Sequence, residues 1–172
     1  LRKRGITVIT MVKLAGTRGR FTHVGLDEMQ IGEMLAHCTI QYLGDKGGTI
    51  MVLHAGDQHP IYGPRHLAFM DQVRRNSKID VLADLDCKGD PREARRIIKD
   101  RTERYPRLNL WVSMDDWALA DGTPGSEVFG KGPRYITSGG LPRQWPLVRS
   151  GVCPCVVGAD YGDIAARAAQ FC

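Results

Sequence analysis

Residues 47–57 read Gly-Gly-Thr-Ile-Met-Val-Leu-His-Ala-Gly-Asp. A glycine pair makes a turn, and residues 49–53 follow as a β-branched and apolar run. The run then breaks into a polar stretch that opens on His54. Continuous apolar character, in place of strict alternation, predicts a strand covered on both faces.

Further runs predict strands at residues 6–12, 79–82, 108–112, 135–137 and 152–157. Helical spacing separates them. Ile31, Met34, Leu35, Cys38 and Tyr42 repeat on one face, after Asp27 and Gln30 as a capping pair. Leu67, Met70 and Val73 mark a second helix. Ala94, Ile97 and Ile98 mark a third, opened by Asp90-Pro91, a cap and a first-turn proline. A short helix is expected over residues 116–120, another around Leu147 and Val148, and a last one through Ile164, Ala165 and Ala168. Strand and helix alternating in this way predict an α/β domain of three layers, a mostly parallel sheet with helices on both faces. Ligands of such sheets bind beyond the carboxyl ends of the strands. The loops of interest are therefore residues 13–20, 54–64, 83–90, 113–116, 138–141 and 158–162.

The chain has 172 residues, 42% hydrophobic and 25% charged, a composition that excludes disordered, collagen-like and rod-like classes. No stretch reaches the roughly 18 apolar residues of a membrane span. The 24 Lys and Arg against 19 Asp and Glu leave a net charge of +5, scattered along the chain, so no nucleic-acid partner is expected. The five cysteines are an odd number, and Cys153-Pro154-Cys155 has neither zinc nor redox spacing. Cys38 reads as a small core residue and Cys172 as a free thiol.

The chemical motifs are mostly absent. There is no phosphate loop of the G-x-x-x-x-G-K-[ST] type, and no G-x-G-x-x-G follows a strand, so no nucleotide cofactor is expected. His54, Asp57, His59 and His66 cluster around one strand-end loop without a metal-ligand spacing, which reads as a polar ligand loop with no metal. Thr137-Ser138-Gly139-Gly140 lacks the pattern of a nucleophile elbow. Asp115-Asp116 follow a strand; one can cap a helix while the other faces a ligand. Trp111 reads as core, and Trp117 and Trp145 lie near strand-end loops.

The order of several motifs resembles type I periplasmic binding proteins. Val24-Gly25-Leu26-Asp27 followed by Gly32 resembles the family's hinge stretch. Leu43-Gly44-Asp45-Lys46-Gly47-Gly48-Thr49-Ile50 resembles its approach to a strand. Pro64 to Phe69 resembles a helix start, with Ala68 replacing a glycine. Tyr105-Pro106 through Trp111-Val112 to Asp115-Asp116-Trp117-Ala118-Leu119 resembles a further segment, as does Ser150-Gly151 to Val157 with Asp160 to Ala169. The resemblance covers nearly the whole chain.

It implies a two-lobed, non-enzymatic clamp. Residues 1–25 would be the tail of the first lobe, 26–158 the second lobe, and 159–172 the return crossing. Most of the first lobe would lie outside this chain, and the exposed hinge surface would favour self-association. The implied function is the solute-binding part of a sugar ABC transporter, periplasmic or extracellular, with a small sugar-like solute and a membrane permease as partners. The same fold serves effector domains of lactose-repressor-type regulators, which are cytoplasmic, and periplasmic sensor domains. An α/β hydrolase is the remaining class.

The resemblance also implies ligand residues. Arg65 matches an arginine that donates to sugar or carboxylate oxygens, with an internal salt bridge as the alternative reading. Asp115 stands where the family has an asparagine. Three positions depart: an aromatic is Gly89, an aspartate is Gly139 or Gly140, and a glutamine is Ala159 or Asp160. Asp57, His59 and Tyr62 offer polar groups in compensation.

Overall fold

The computed structural model describes residues 8–12, 22–130 and 132–171. In chain order it begins with β1 (Ile9–Met11), β2 (Thr22–Val24), α1 (Glu28–Leu43), β3 (Gly48–His54) and α2 (Tyr62–Arg74). It continues with β4 (Ile79–Asp86), α3 (Pro91–Arg104), β5 (Leu110–Ser113), α4 (Gly125–Phe129) and β6 (Arg134–Gly139). The last elements are α5 (Trp145–Arg149), β7 (Cys155–Gly158) and α6 (Tyr161–Ala169). The chain divides into two compact units, a larger one, Glu28–Gly158, and a smaller one, Leu1–Asp27 with Ala159–Cys172.

In the larger unit five parallel strands run in the order β4-β3-β5-β6-β7. Ile50, Met51, Val52 and Leu53 of β3 are at most 1% exposed, so both faces of this strand are covered, as its unbroken apolar run requires. Right-handed crossovers place α2 on one face and α3, α4 and α5 on the other. Helix α1 packs along α2. Strand β4 is an edge, and its residues alternate between half-buried and exposed. Its register slips between Val81 and Ala83, leaving Leu82 as the extra residue of a bulge. The bulge and the exposed Asp80, Asp84 and Asp86 guard this edge against pairing with another chain.

Helix α3 starts where the sequence puts it. Asp90 accepts a hydrogen bond from Glu93 N at 2.8 Å, and Pro91 sits in the first turn. Other boundaries differ from expectation. Strand β7 begins at Cys155 and not at residue 152, because Pro154 has no N–H and Cys153 N is taken by Leu147 O at 3.0 Å. The helix expected over 116–120 is a single 3-10 turn, Trp117–Leu119. Strand β2 and helix α4 were not expected. Residues 6–7 of the first expected strand, the loop at 13–20 and Cys172 lie outside the described residues.

In the smaller unit, β1 and β2 pair in parallel. Helix α6 packs on both, with Ile164 and Ala168 buried. Among the described residues no helix is long and apolar enough to cross a membrane.

Candidate ligand-binding face

The strand order creates one privileged place. The chain leaves β3 towards β4 and leaves β5 towards β6, in opposite directions, so a crevice opens between the carboxyl ends of β3 and β5. The segments at this point are residues 54–65 and 113–117.

Asp115, the second residue after β5, is half-buried. Its Oδ2 accepts from Tyr62 Oη at 2.6 Å, and its Oδ1 accepts from Asp116 N at 3.0 Å. Tyr62 opens α2 and is held by rings: Trp117 lies edge-on at 4.9 Å and His59 lies tilted at 4.6 Å. Burial and the Asp115 carboxylate push the Tyr62 phenol well above its usual range, so the hydroxyl stays a donor. Asp116 is buried, and Arg143 grips it with a fork of 2.7 and 2.9 Å bonds. Burial pushes the Asp116 pKa up, with the Asp115 charge adding to the shift and Arg143 opposing it. The fork leaves Arg143 on the rim, with its side chain 37% exposed.

Arg65 is 4% exposed. Nε and Nη2 both donate to Glu28 Oε2, and Nη1 donates to Met114 O at 2.5 Å and to Ser138 Oγ at 2.6 Å. Four of its five donors are thus committed to α1, to the turn before Asp115 and to the end of β6. Beside it, fully buried Gln144 arranges residues 138–141. Its Oε1 accepts from Gly140 N at 2.5 Å and Leu141 N at 2.8 Å, and its Nε2 donates to Ser138 O at 3.1 Å. A Cβ at Gly139 (φ +141°) would lie 2.5 Å from Gln144 Nε2, so only glycine fits there.

Next to this face, a histidine clasp joins β3, α2 and β4. The rings of His54 and His66 stack at 4.2 Å, inclined by 7°. His66 bonds Asp57 Oδ1 through Nδ1 at 2.7 Å and Asp84 Oδ1 through Nε2 at 2.9 Å. Burial opposes its charge, but the two carboxylates outweigh burial and raise its pKa. Burial and the His66 charge lower that of His54. Gly56 N donates to His54 Nδ1 at 3.0 Å, which puts the proton of the neutral ring on Nε2, facing Asp84 at 3.6 Å. That proton occupies the position from which His54, with His66 and Asp84, would have to ligate a metal.

The sequence matches the periplasmic binding protein domain over residues 1–172. The chain belongs to that family. It is a family of binding proteins and not of enzymes. Among curated protein sequences none matches significantly. Solved structures of similar fold include the XylFII molecule, with 16% identity and a TM-score of 0.77 over 98% of this chain and 62% of that one. The periplasmic component of an ABC-type sugar transport system from Hahella chejuensis has 15% identity and a TM-score of 0.77, over 99% and 63%. The fructose binding periplasmic domain of a hybrid two component system has 18% identity and a TM-score of 0.72, over 98% and 58%. This chain therefore spans less than two thirds of the length of each, and at these identities the likeness is one of fold.

In this periplasmic binding protein domain the expected site residues separate into groups. Arg65, Asp115 and His59 converge at the β3–β5 crevice, with Gly139 joined to them through Ser138. His59 faces inward, its Nδ1 accepting from Ile61 N and Tyr62 N, both at 3.2 Å, at the start of α2. Asp57 turns to His66 instead. Asp160 belongs to the smaller unit, where it caps α6 by accepting from Asp163 N at 2.9 Å. Asp116 does not cap with its side chain, since Arg143 holds it. Glu28, Gln144 and Arg143 were not anticipated. Gln144, four residues after a glycine pair at a strand end, carried the only local signal among them.

Proposed function

We propose that this chain provides the sugar-contacting face of a solute-binding protein of an ABC transporter, periplasmic or extracellular, read in its liganded form by a membrane permease. The observation that carries the reading is Asp115. It is a half-exposed carboxylate at the switch point, oriented by Tyr62 and adjoining the exposed edge of the Arg143–Asp116 fork. A carboxylate accepts protons from two neighbouring hydroxyls, and a guanidinium at its side donates to hydroxyl oxygens, which suits a polyol. In this reading Asp115, Arg143 and the backbone at Gly139 contact the solute. Arg65 and His59 hold that face in place, Asp57 belongs to the histidine clasp, and Asp160 serves its own helix.

Thermal unfolding against a panel of sugars, polyols and sugar acids tests it. A specific ligand stabilises the folded state by about 2.7 kcal/mol at a hundred-fold excess over Kd. One compound is expected to raise Tm, and Asp115→Ala is expected to remove the rise while leaving the unliganded Tm nearly unchanged. A panel without any shift, or a shift that survives Asp115→Ala, overturns the reading.

A further inference from the structure

The charges at the β3–β5 crevice can be paired off one by one. Glu28 answers Arg65, and Asp116 answers Arg143. Asp57 and Asp84 both turn to His66. Asp115 is left over. Its carboxylate accepts from the Tyr62 hydroxyl at 2.6 Å and from Asp116 N at 3.0 Å, and both donors are neutral. Ser138 Oγ stands 3.5 Å from Oδ1, but donates more closely to Met114 O, at 2.9 Å. Among the described residues no lysine, arginine or histidine makes an ion pair with Asp115, although it is half-buried. The chain as a whole carries +5, so this local negative charge runs against the sign of the molecule.

The two guanidinium groups of the network are committed elsewhere. Arg65 gives Nε and Nη2 to Glu28, and Nη1 to Met114 O and Ser138 Oγ. Arg143 gives Nε and Nη2 to Asp116, which leaves only its Nη1 without a partner. The unanswered charge is felt by the groups around it. Burial is the largest cause of the raised pKa of Tyr62 and of Asp116, and the Asp115 charge adds to both shifts.

We propose that the solute carries a protonated amine that binds Asp115, which makes it an amino sugar or an amino polyol. The inference rests on the sugar-contacting face proposed above and narrows its substrate class. A carboxylate has about four lone-pair sites, and two strong donors occupy only part of them at Asp115. An ammonium fills the remainder with charge-assisted hydrogen bonds and supplies the one charge that the face lacks. Hydroxyl oxygens of the same solute can accept from Arg143 Nη1. A sugar acid meets the opposite situation. Its carboxylate would lie against the like charge of Asp115, and the guanidinium at the rim is already neutralised by Asp116. A neutral sugar of the same shape keeps the hydrogen bonds and forgoes the charge.

Thermal unfolding of the chain with matched compounds tests the assignment. The probes are 2-, 3- and 6-amino hexoses of gluco and galacto configuration. Each is set beside its parent hexose, its N-acetyl derivative and the corresponding uronic acid, at equal ionic strength. One amino sugar is expected to raise Tm. Its parent and N-acetyl derivative should raise Tm less, and the uronic acid not at all. In isothermal titration, Asp115→Asn is expected to weaken the amino sugar by about ten- to a hundred-fold, the effect of losing a hydrogen bond to a charged group. The neutral parent should weaken less, since an amide oxygen still accepts from Tyr62. A neutral sugar or a uronic acid that raises Tm at least as far as its amino counterpart overturns the inference and leaves the sugar-contacting face standing. A panel with no shift at all overturns both. The wild-type comparison decides the matter even where Asp115→Asn folds poorly.

Discussion

Arg65 carries a full charge into a site that is 4% exposed, and Glu28 answers it from α1 with one carboxylate oxygen shared by two N–H groups. The remaining guanidinium nitrogen spans Met114 O and Ser138 Oγ. One side chain thereby fixes α1, the turn before Asp115 and the end of β6 together. Arg65→Met leaves the half-buried Glu28 carboxylate without its partner, and a loss of about 3 kcal/mol, the low end for a broken buried pair, is expected in urea unfolding. Arg65→Lys recovers little, since a single ammonium cannot replace a planar fork aimed at three acceptors. Arg65→Met with Glu28→Gln recovers part of the loss, because the stranded charge is gone. His66 gives a prediction in pH. Its folded pKa is raised by Asp84 and Asp57 against the opposing effect of burial, so its contribution is complete below the unfolded value of about 6.5. That contribution fades as pH rises through the folded value. Asp84 has a lowered pKa, and its own share is lost only in acid, as pH falls through its folded value. Between pH 6 and pH 8.5 the wild type is thus expected to lose stability relative to His66→Gln. Parallel urea midpoints of the two across that range would remove His66 as the cause.

Among the elements, α1 and α2 show how a motif readable in sequence receives its reason from packing. Gly32 falls in the stretch that resembles the family's hinge. In the fold, a Cβ at residue 32 would stand 2.1 Å from the backbone oxygen of Arg65. The two helices cross there in close backbone approach, and Gly32→Ala is expected to cost about 1–3 kcal/mol by overpacking. Because the displaced atom belongs to Arg65, the variant should also weaken any sugar-dependent rise in Tm; a variant as stable as the wild type would mean that the helices part without strain. Strands β3, β5 and β6 and the start of α3 were legible because each is a local signal, an apolar run or a cap within three residues. Strand β2 was not, since Thr22-His23-Val24 is short and largely polar, and neither was α4, five residues after Pro124. The site was legible by type and not by partner. Arg65 and Asp115 stood out in their loops, but Glu28 is 37 positions from Arg65 and Tyr62 is 53 positions from Asp115. Spacing in sequence carries no trace of such pairs, and only the strand order brings them together.

At the scale of the whole molecule, the distribution of the core makes a prediction about autonomy. Every residue of the main buried cluster, from Leu35 to Val157, lies within the unit Glu28–Gly158. The same unit contains the five-stranded sheet, the Arg65 network and the histidine clasp. Among the described residues of the smaller unit are two three-residue strands and one nine-residue helix, with Ile164 and Ala168 buried. Units with separate buried clusters can open separately. The fragment of residues 28–158 is therefore expected to fold alone. All three tryptophans, 111, 117 and 145, lie in it, so their fluorescence reports its unfolding in the fragment and in the full chain alike. The two urea midpoints and slopes should agree closely, since the slope follows the surface exposed on unfolding. In hydrogen exchange of the full chain, amides of β3 and β5 should be protected to the global limit, while those of α6 exchange through a separate, cheaper opening. A fragment with a much lower midpoint, or exchange of α6 at the same limit as β3, would show that the residues outside 28–158 help to hold the core.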